Sequence, residues 1–270
     1  MKKIITLVLA VALAVLSVFS LGSCANPNPE DTLVCGVTEI PGLNEMDENG
    51  EWTKGFETEF AMAVAEILGM KVKFVEIDWG QKYNEVNSNA IDAIWNGFTA
   101  NASEKDGTAR NTLVDFSYGY MLNQQCIVVK SDRLAEFADE AALAGKKAVV
   151  EAGSAGESYA KGATAEDKVL TVPAQVDTFI EVKSGGVDFA VVDIVLAQNV
   201  VGKGDFTDLV IVDSIELASE VYAVGFKTGS ELTAKVNAAI KTLFENGKMA
   251  ELAEKYGFEN VVQLVEEIDF

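Results

Sequence analysis

The chain contains no histidine, so both the commonest general base and the commonest metal ligand are missing. Reaction chemistry would have to come from carboxylates, Lys, Tyr or Cys. Groups suited to binding are easier to find. Arg110 offers a guanidinium fork that matches a carboxylate with two parallel hydrogen bonds, although an Arg is by default a surface residue. Asp193 closes an apolar run, Val187 to Val192, and so stands where α/β sheets place ligand-binding groups; capping the next helix suits it equally. Ser154 and Ala155 follow a strand and open a helix, where exposed N–H groups and the helix dipole favour an anion; an ordinary turn is the simpler reading. Asn96, Gly97 and Thr99 also follow a strand, Gly97 allowing close approach and Thr99 supplying a hydroxyl. Trp52, Trp79 and Trp95 are candidate pocket walls, with Trp79 assigned to core packing.

These groups need a scaffold, and the chain alternates short apolar strands with amphipathic helices from Leu33 onward, the pattern of α/β lobes with largely parallel sheets. A strand over Leu33–Thr38 is followed by a tight turn at Asp47-Glu48-Asn49-Gly50. Phe56, Phe60, Val64, Ile67 and Leu68 recur at helical spacing and stop at Gly69. A strand over Val72–Ile77, a short helix over Gln81–Asn87 and a strand over Ile91–Trp95 complete a βαβαβ lobe. The second series predicts an extended run at Leu122–Lys130, a helix around Arg133–Leu143, a strand at Lys147–Glu151 and a helix after Gly153-Ser154-Ala155-Gly156. Next come a strand at Val169–Val172, a helix over Thr178–Lys183, the strand ending at Asp193 and an apolar helix after it. Strands at Leu209–Val212 and Glu220–Phe226 lead to closing helices over Glu231–Asn246 and Lys248–Tyr256. No internal repeat of 20 to 50 residues is evident.

The amino terminus reads as a secretory signal. Lys2 and Lys3 precede an apolar run from Ile4 to Leu21, ending in Leu21-Gly22-Ser23-Cys24. Such a run could instead span a bilayer, since roughly 20 apolar residues suffice. A branched apolar residue, two small ones and a Cys resemble a bacterial lipobox, which implies signal residues 1–23, lipidation of Cys24 and attachment to a membrane surface without spanning it. Residues 24–32 read as a tether. With Cys24 lipidated, Cys35 and Cys126 remain, each in an apolar strand-like run; buried free thiols are the simple expectation and a disulfide the alternative. The formal charge is −21, and removing Lys2 and Lys3 makes it 19 minus 42, or −23, which argues against nucleic acid as a partner.

At this point the chain resembles the polar amino acid binding proteins of ABC importers, solute-binding family 3. The resemblance rests on an ordered series: Gly36-Val37-Thr38; Asp47 to Trp52 leading to Gly55-Phe56-Glu57; Ile91-Asp92-Ala93-Ile94-Trp95-Asn96-Gly97-Phe98-Thr99; Arg110 before Asp115-Phe116-Ser117 and Tyr120; Gly153-Ser154; and Val187 to Asp193. It implies a two-lobed, type II periplasmic-binding-protein-like fold, each lobe a mainly parallel sheet flanked by helices, with two hinge crossings and closure on the ligand. Lobe 1 would comprise residues 33–124 and 225–270, and lobe 2 residues 125–224. By resemblance, Arg110, Ser154, Ala155 and Thr99 hold the carboxylate of a free amino acid, and Asp193 and Gly97 meet its ammonium; Glu39, from its place near the cleft, with Ile40, Trp52, Trp95 and Asn96, makes up the expected side-chain pocket.

The expected function is capture for an ABC permease by a monomer without metal or cofactor, outside the cytoplasm. Two departures bear on this: Glu39-Ile40-Pro41-Gly42 replaces the usual stacking aromatic, and Ala100–Ala109 lengthens the path from Thr99 to Arg110. The rivals are a dehydratase of cyclic amino acid precursors on the same fold, with Glu39 or Glu157 as general acid, and a ligand-sensing domain.

Overall fold

The computed structural model describes residues 31–270, so the expected signal sequence, Cys24 and most of the expected tether lie outside the described residues. The first strand, β1 (Thr32–Val37), is buried along almost its whole length and pairs in parallel with β4 (Lys71–Glu76) and β5 (Ala93–Ile94). The helix that crosses between them, α1 (Phe56–Leu68), turns Phe56, Phe60 and Val64 into the core and ends at Gly69 in the left-handed region. Gly55 just before it is obligatory: a Cβ there would lie 2.1 Å from the Leu43 carbonyl oxygen, at φ +100°. The Asp47–Gly50 turn joins the short hairpin strands β2 (Glu45–Met46) and β3 (Trp52–Lys54), as its Asn-Gly step requires.

The centre of the molecule is β6 (Asp115–Lys130), a single 16-residue strand. Its first half pairs antiparallel with β11 (Ser219–Phe226) and β12 (Val262–Val265), and its second half with β9 (Phe189–Asp193) and β10 (Leu209–Ile211). β7 (Ala148–Glu151) then joins β9 and β8 (Val169–Val172) in parallel. The path β4-β1-β5-β11-β6-β9-β7-β8 therefore carries a parallel set at each end, linked through the antiparallel pair β6 and β11. This is the two-lobed α/β architecture expected, with those two strands as the crossings. One buried cluster, including Val34, Ile77, Trp79 and Phe98, belongs to the first end, and another, including Ile127, Phe137, Val150 and Phe189, to the second.

One local expectation is corrected, and one strand is added. Arg133–Leu143 is not a helix but two 3-10 turns, Ser131–Glu136 and Glu140–Leu143. Between them Phe137 is drawn into the second core, 1% exposed, and Asp139 starts a new turn by accepting from the Ala142 N–H, so tertiary burial overrides helix propensity. At the carboxyl end β12 is a further strand on β6, in a stretch whose four residues give too little pattern to read. Cys35 and Cys126 are both buried free thiols. Among the described residues no helix is long and apolar enough to cross a membrane, and no cluster of His, Cys, Asp or Glu is arranged to hold a metal.

Candidate functional site

The strand ends converge on a small, narrow cavity. Trp79, Asn96, Gly97, Thr99 and Arg110 line it from one side, and Glu151, Ser154, Ala155, Gln175 and Asp193 from the other. Arg110 starts a short 3-10 turn immediately before β6 and is 1% exposed. Its Nε donates to Glu104 Oε1 at 2.9 Å, Nη1 to the Thr99 carbonyl at 3.1 Å and Nη2 across the cavity to the Gly153 carbonyl at 3.3 Å. The lengthened Ala100–Ala109 path closes as a small hairpin, with Ser103 bridging to Ala109 and Glu104 N–H donating to the Thr108 carbonyl. It leaves Arg110 at the cavity and delivers a carboxylate to hold its guanidinium.

Asp193 sits at the end of β9, 5% exposed. Its carboxylate does not cap the helix that follows, over Ile194–Val200. Instead Oδ1 accepts from Asn123 Nδ2 at 2.7 Å and Gln125 Nε2 at 2.5 Å, and Oδ2 from Gln175 Nε2 at 2.5 Å. A carboxylate has about four acceptor positions, so three amide donors leave room for one more. The same two amides, Asn123 and Gln125, also donate to Glu220 Oε2, which takes a third bond from the Thr99 hydroxyl. Burial raises the pKa values of both Asp193 and Glu220; Glu220 rises to about 7, with the Asp193 charge adding to the effect. Against this acidic floor stand two cations on the other side. Lys82, on the helix over Lys82–Asn87, is 1% exposed and donates to the Gly153 carbonyl at 2.8 Å. Burial, then the Arg110 charge, lowers its pKa to about 8.

The other candidates take more local roles. Asn96 accepts from Thr38 N–H and Asn44 Nδ2 and donates to the Thr38 hydroxyl, which fixes the loop that carries Gly97. Gly97 N–H points inward to Glu57, not to the cavity. Ser154 caps the helix over Ala155–Ala163, its Oγ accepting from Glu157 N–H at 3.0 Å and donating to the Glu151 carbonyl at 2.8 Å. Among the expected side-chain contacts, Glu39 is exposed, Ile40 is core, Trp52 packs half-buried on the main core and Trp95 packs on Phe60; none of these four lines the cavity. Trp79, assigned to the core, does line it while its ring also meets Phe98 edge-on.

The sequence reading passed over Lys82, Asn123, Gln125, Glu151, Gln175 and Glu220. Signals for some existed. Glu151 ends an apolar strand just as Asp193 does, and Asn123 and Gln125 alternate onto one face of β6. That Glu220 stands opposite Asn123, and Asp193 opposite Gln125, follows from a register no local pattern reveals.

The sequence profile of the bacterial extracellular solute-binding proteins, family 3, matches residues 33–260. The chain belongs to that family. Among its relatives, the arginine-binding extracellular protein ArtP of Bacillus subtilis is 26% identical over 95% of this chain and 98% of its own length. An ancestral arginine-binding protein bound to arginine has a TM-score of 0.76 at 31% identity, covering 85% of this chain and 99% of that one. The ancestral amino acid-binding protein AncCDT-1, a precursor of cyclohexadienyl dehydratase, has a TM-score of 0.73 at 28% identity, covering 84% and 95%. Family 3 architecture thus accounts for the two parallel sets, and the strand ends that face each other form its cleft.

Proposed function

We propose that this protein captures a free amino acid outside the cytoplasm and presents it to an ABC permease. The observation that carries the reading is the cavity's polarity: a buried guanidinium on one side and a buried, amide-cradled carboxylate on the other. A zwitterion with its carboxylate toward Arg110 and its ammonium toward Asp193 complements both charges where water is excluded. The family relatives named for binding arginine support the same class of ligand. Under this reading lobe 1 (residues 33–124 and 225–270) and lobe 2 (residues 125–224) close on the ligand, the protein works as a monomer, and a lipid on Cys24 tethers it to the membrane. Labelled fatty acid should then be incorporated into the wild type and not into Cys24→Ser; a wild type that takes up no label would refute the anchor.

Binding is favoured over catalysis because neither carboxylate offered as a general acid is suited to it. Glu39 is exposed and away from the cavity. Burial would push Glu157 up, but Lys161, 2.8 Å away, and the Gly153 N–H outweigh it and hold the carboxyl below its ordinary range. The test is a thermal-shift screen of the 20 common amino acids and cystine on protein stripped by partial unfolding and refolding. A ligand at a hundred times its Kd stabilises the native state by about 2.7 kcal/mol. A shift for one ligand class, lost in Arg110→Ala and Asp193→Ala variants that remain folded, is expected. No shift with any amino acid would overturn the reading, and turnover of a cyclic acid would replace it with the enzyme.

A further inference from the structure

Of the buried carboxylates around the cavity, Glu151 is the one with an unmatched atom. It ends β7, is 2% exposed and lines the cavity beside Asp193 and Gln175, and its Oε1 has no hydrogen-bond partner. Buried polar atoms are rarely left so, because the group then bears its full desolvation cost. The neighbouring cation does not satisfy it: the Lys82 ammonium is directed to the Gly153 carbonyl and lies 3.7 Å from Glu104. Asp193, by contrast, holds three amide donors. The cavity thus presents a third polar position beyond the pair suited to an α-carboxylate and an α-ammonium.

We infer that Glu151 is the specificity-determining residue, its Oε1 accepting a hydrogen bond from a cationic group, a guanidinium or an ammonium, at the end of the ligand's side chain; this rests on the amino acid capture proposed above. Charge supports the geometry. Burial, and then the Asp193 charge, push the Glu151 carboxyl up to about 8, while Lys82 and the Gln175 donors pull it back only in part. An incoming cation supplies the donor that Oε1 lacks and the countercharge that favours the ionised form. A neutral side chain supplies no such countercharge. Trp79 adds an aromatic wall to the same cavity, a surface along which an aliphatic or guanidinium side chain can lie.

The test compares near-isosteric ligands by titration calorimetry on stripped protein: arginine against citrulline, and lysine against norleucine. In the wild type the charged member of at least one pair should bind roughly tenfold or more tightly than its neutral counterpart. In Glu151→Gln that ratio should collapse to within about twofold, with neutral-ligand binding retained. Above pH 8, where the carboxyl is ionised, the unliganded variant should be at least as heat-stable as wild type, since it loses an unpartnered buried charge; a residue serving only the fold would lower the melting temperature and weaken every ligand alike. Glu151→Asp keeps the charge one methylene further back and should retain the preference at lower affinity, which preserves the test if the Gln variant folds poorly. An unchanged ratio in Glu151→Gln, or a wild type that binds neutral and charged partners equally, would overturn the assignment while leaving amino acid capture intact. A wild type that binds no amino acid would overturn both.

Discussion

Glu57 offers the sharpest physical test of how the end of the molecule around β1 and β5 is assembled. It lies on α1, is fully buried, and receives the Gly97 N–H at 2.9 Å, Asn44 Nδ2 at 3.0 Å and the Tyr120 hydroxyl, so it pins the loop that leads into the cavity. Burial outweighs these donors and raises its pKa from 4.5 to about 7. The folded state therefore holds a proton that the unfolded chain has already lost between those values, and stability falls as pH rises through that window. The difference, 7 minus 4.5, at about 1.4 kcal/mol per unit, gives a loss of about 3 kcal/mol that is complete a little above pH 7. Urea unfolding at pH 4.5, 6, 7 and 8 would read it, wild type beside Glu57→Gln. The neutral variant is less stable at pH 4.5, because its amide faces the Asn44 donor, but its curve should lack the Glu57 component. The gap between the two should narrow by about 3 kcal/mol toward pH 8, a relative midpoint shift of about 1 M or more in urea. Parallel pH profiles would refute the reasoning and mean that the three donors keep Glu57 ionised throughout.

Three further outcomes are expected. Lys82→Met removes the ammonium that bridges to the Gly153 carbonyl at 2.8 Å, and small-angle scattering of the unliganded protein should show a larger radius of gyration than wild type; an unchanged radius would mean that the bridge does not hold the sides together. Gly97→Ala places a Cβ 3.2 Å from the Tyr222 ring at φ +54°, and should cost more than about 1 kcal/mol in denaturant unfolding. Ser154→Ala removes the cap of the helix over Ala155–Ala163 and should lower stability by about 1 kcal/mol, measured the same way, while a charge-based capture site remains in place.

The order of strands and helices was legible because each is short, apolar and separated by turn chemistry. Phe56, Phe60 and Val64 announce their helix by spacing, and Gly69 announces its end. Arg110 and Asp193 could be singled out because a guanidinium fork matches a carboxylate, a strand end is where α/β sheets place ligand-binding groups, and the family resemblance points to both; the structure brings them to one cavity. The lining is less legible: Glu39, Ile40, Trp52 and Trp95 do not line the cavity, whereas Glu151, Gln175 and Trp79 reach it through pairing and helix placement. The length of the Ala100–Ala109 segment was visible, but its role was not, because only the closed hairpin puts Glu104 beside Arg110.

The continuous strand β6 has a mechanical consequence. A strand that runs unbroken through both halves of a molecule, with its neighbour held to it by an antiparallel ladder from Leu122↔Val221 to Gln124↔Ser219, cannot swivel like a loose tether. It flexes as a two-ply leaf spring, with the ladder irregularities at Tyr222 and Ala223 as its soft points. Asn123 and Glu220 face each other on that spring, and Gln125 follows on the same face. Two of the three amides that grip Asp193 are thus mounted on the part that bends, so curvature of the backbone and the seat proposed for the ammonium are set by the same few residues. A substitution in this ribbon would retune stiffness and affinity together.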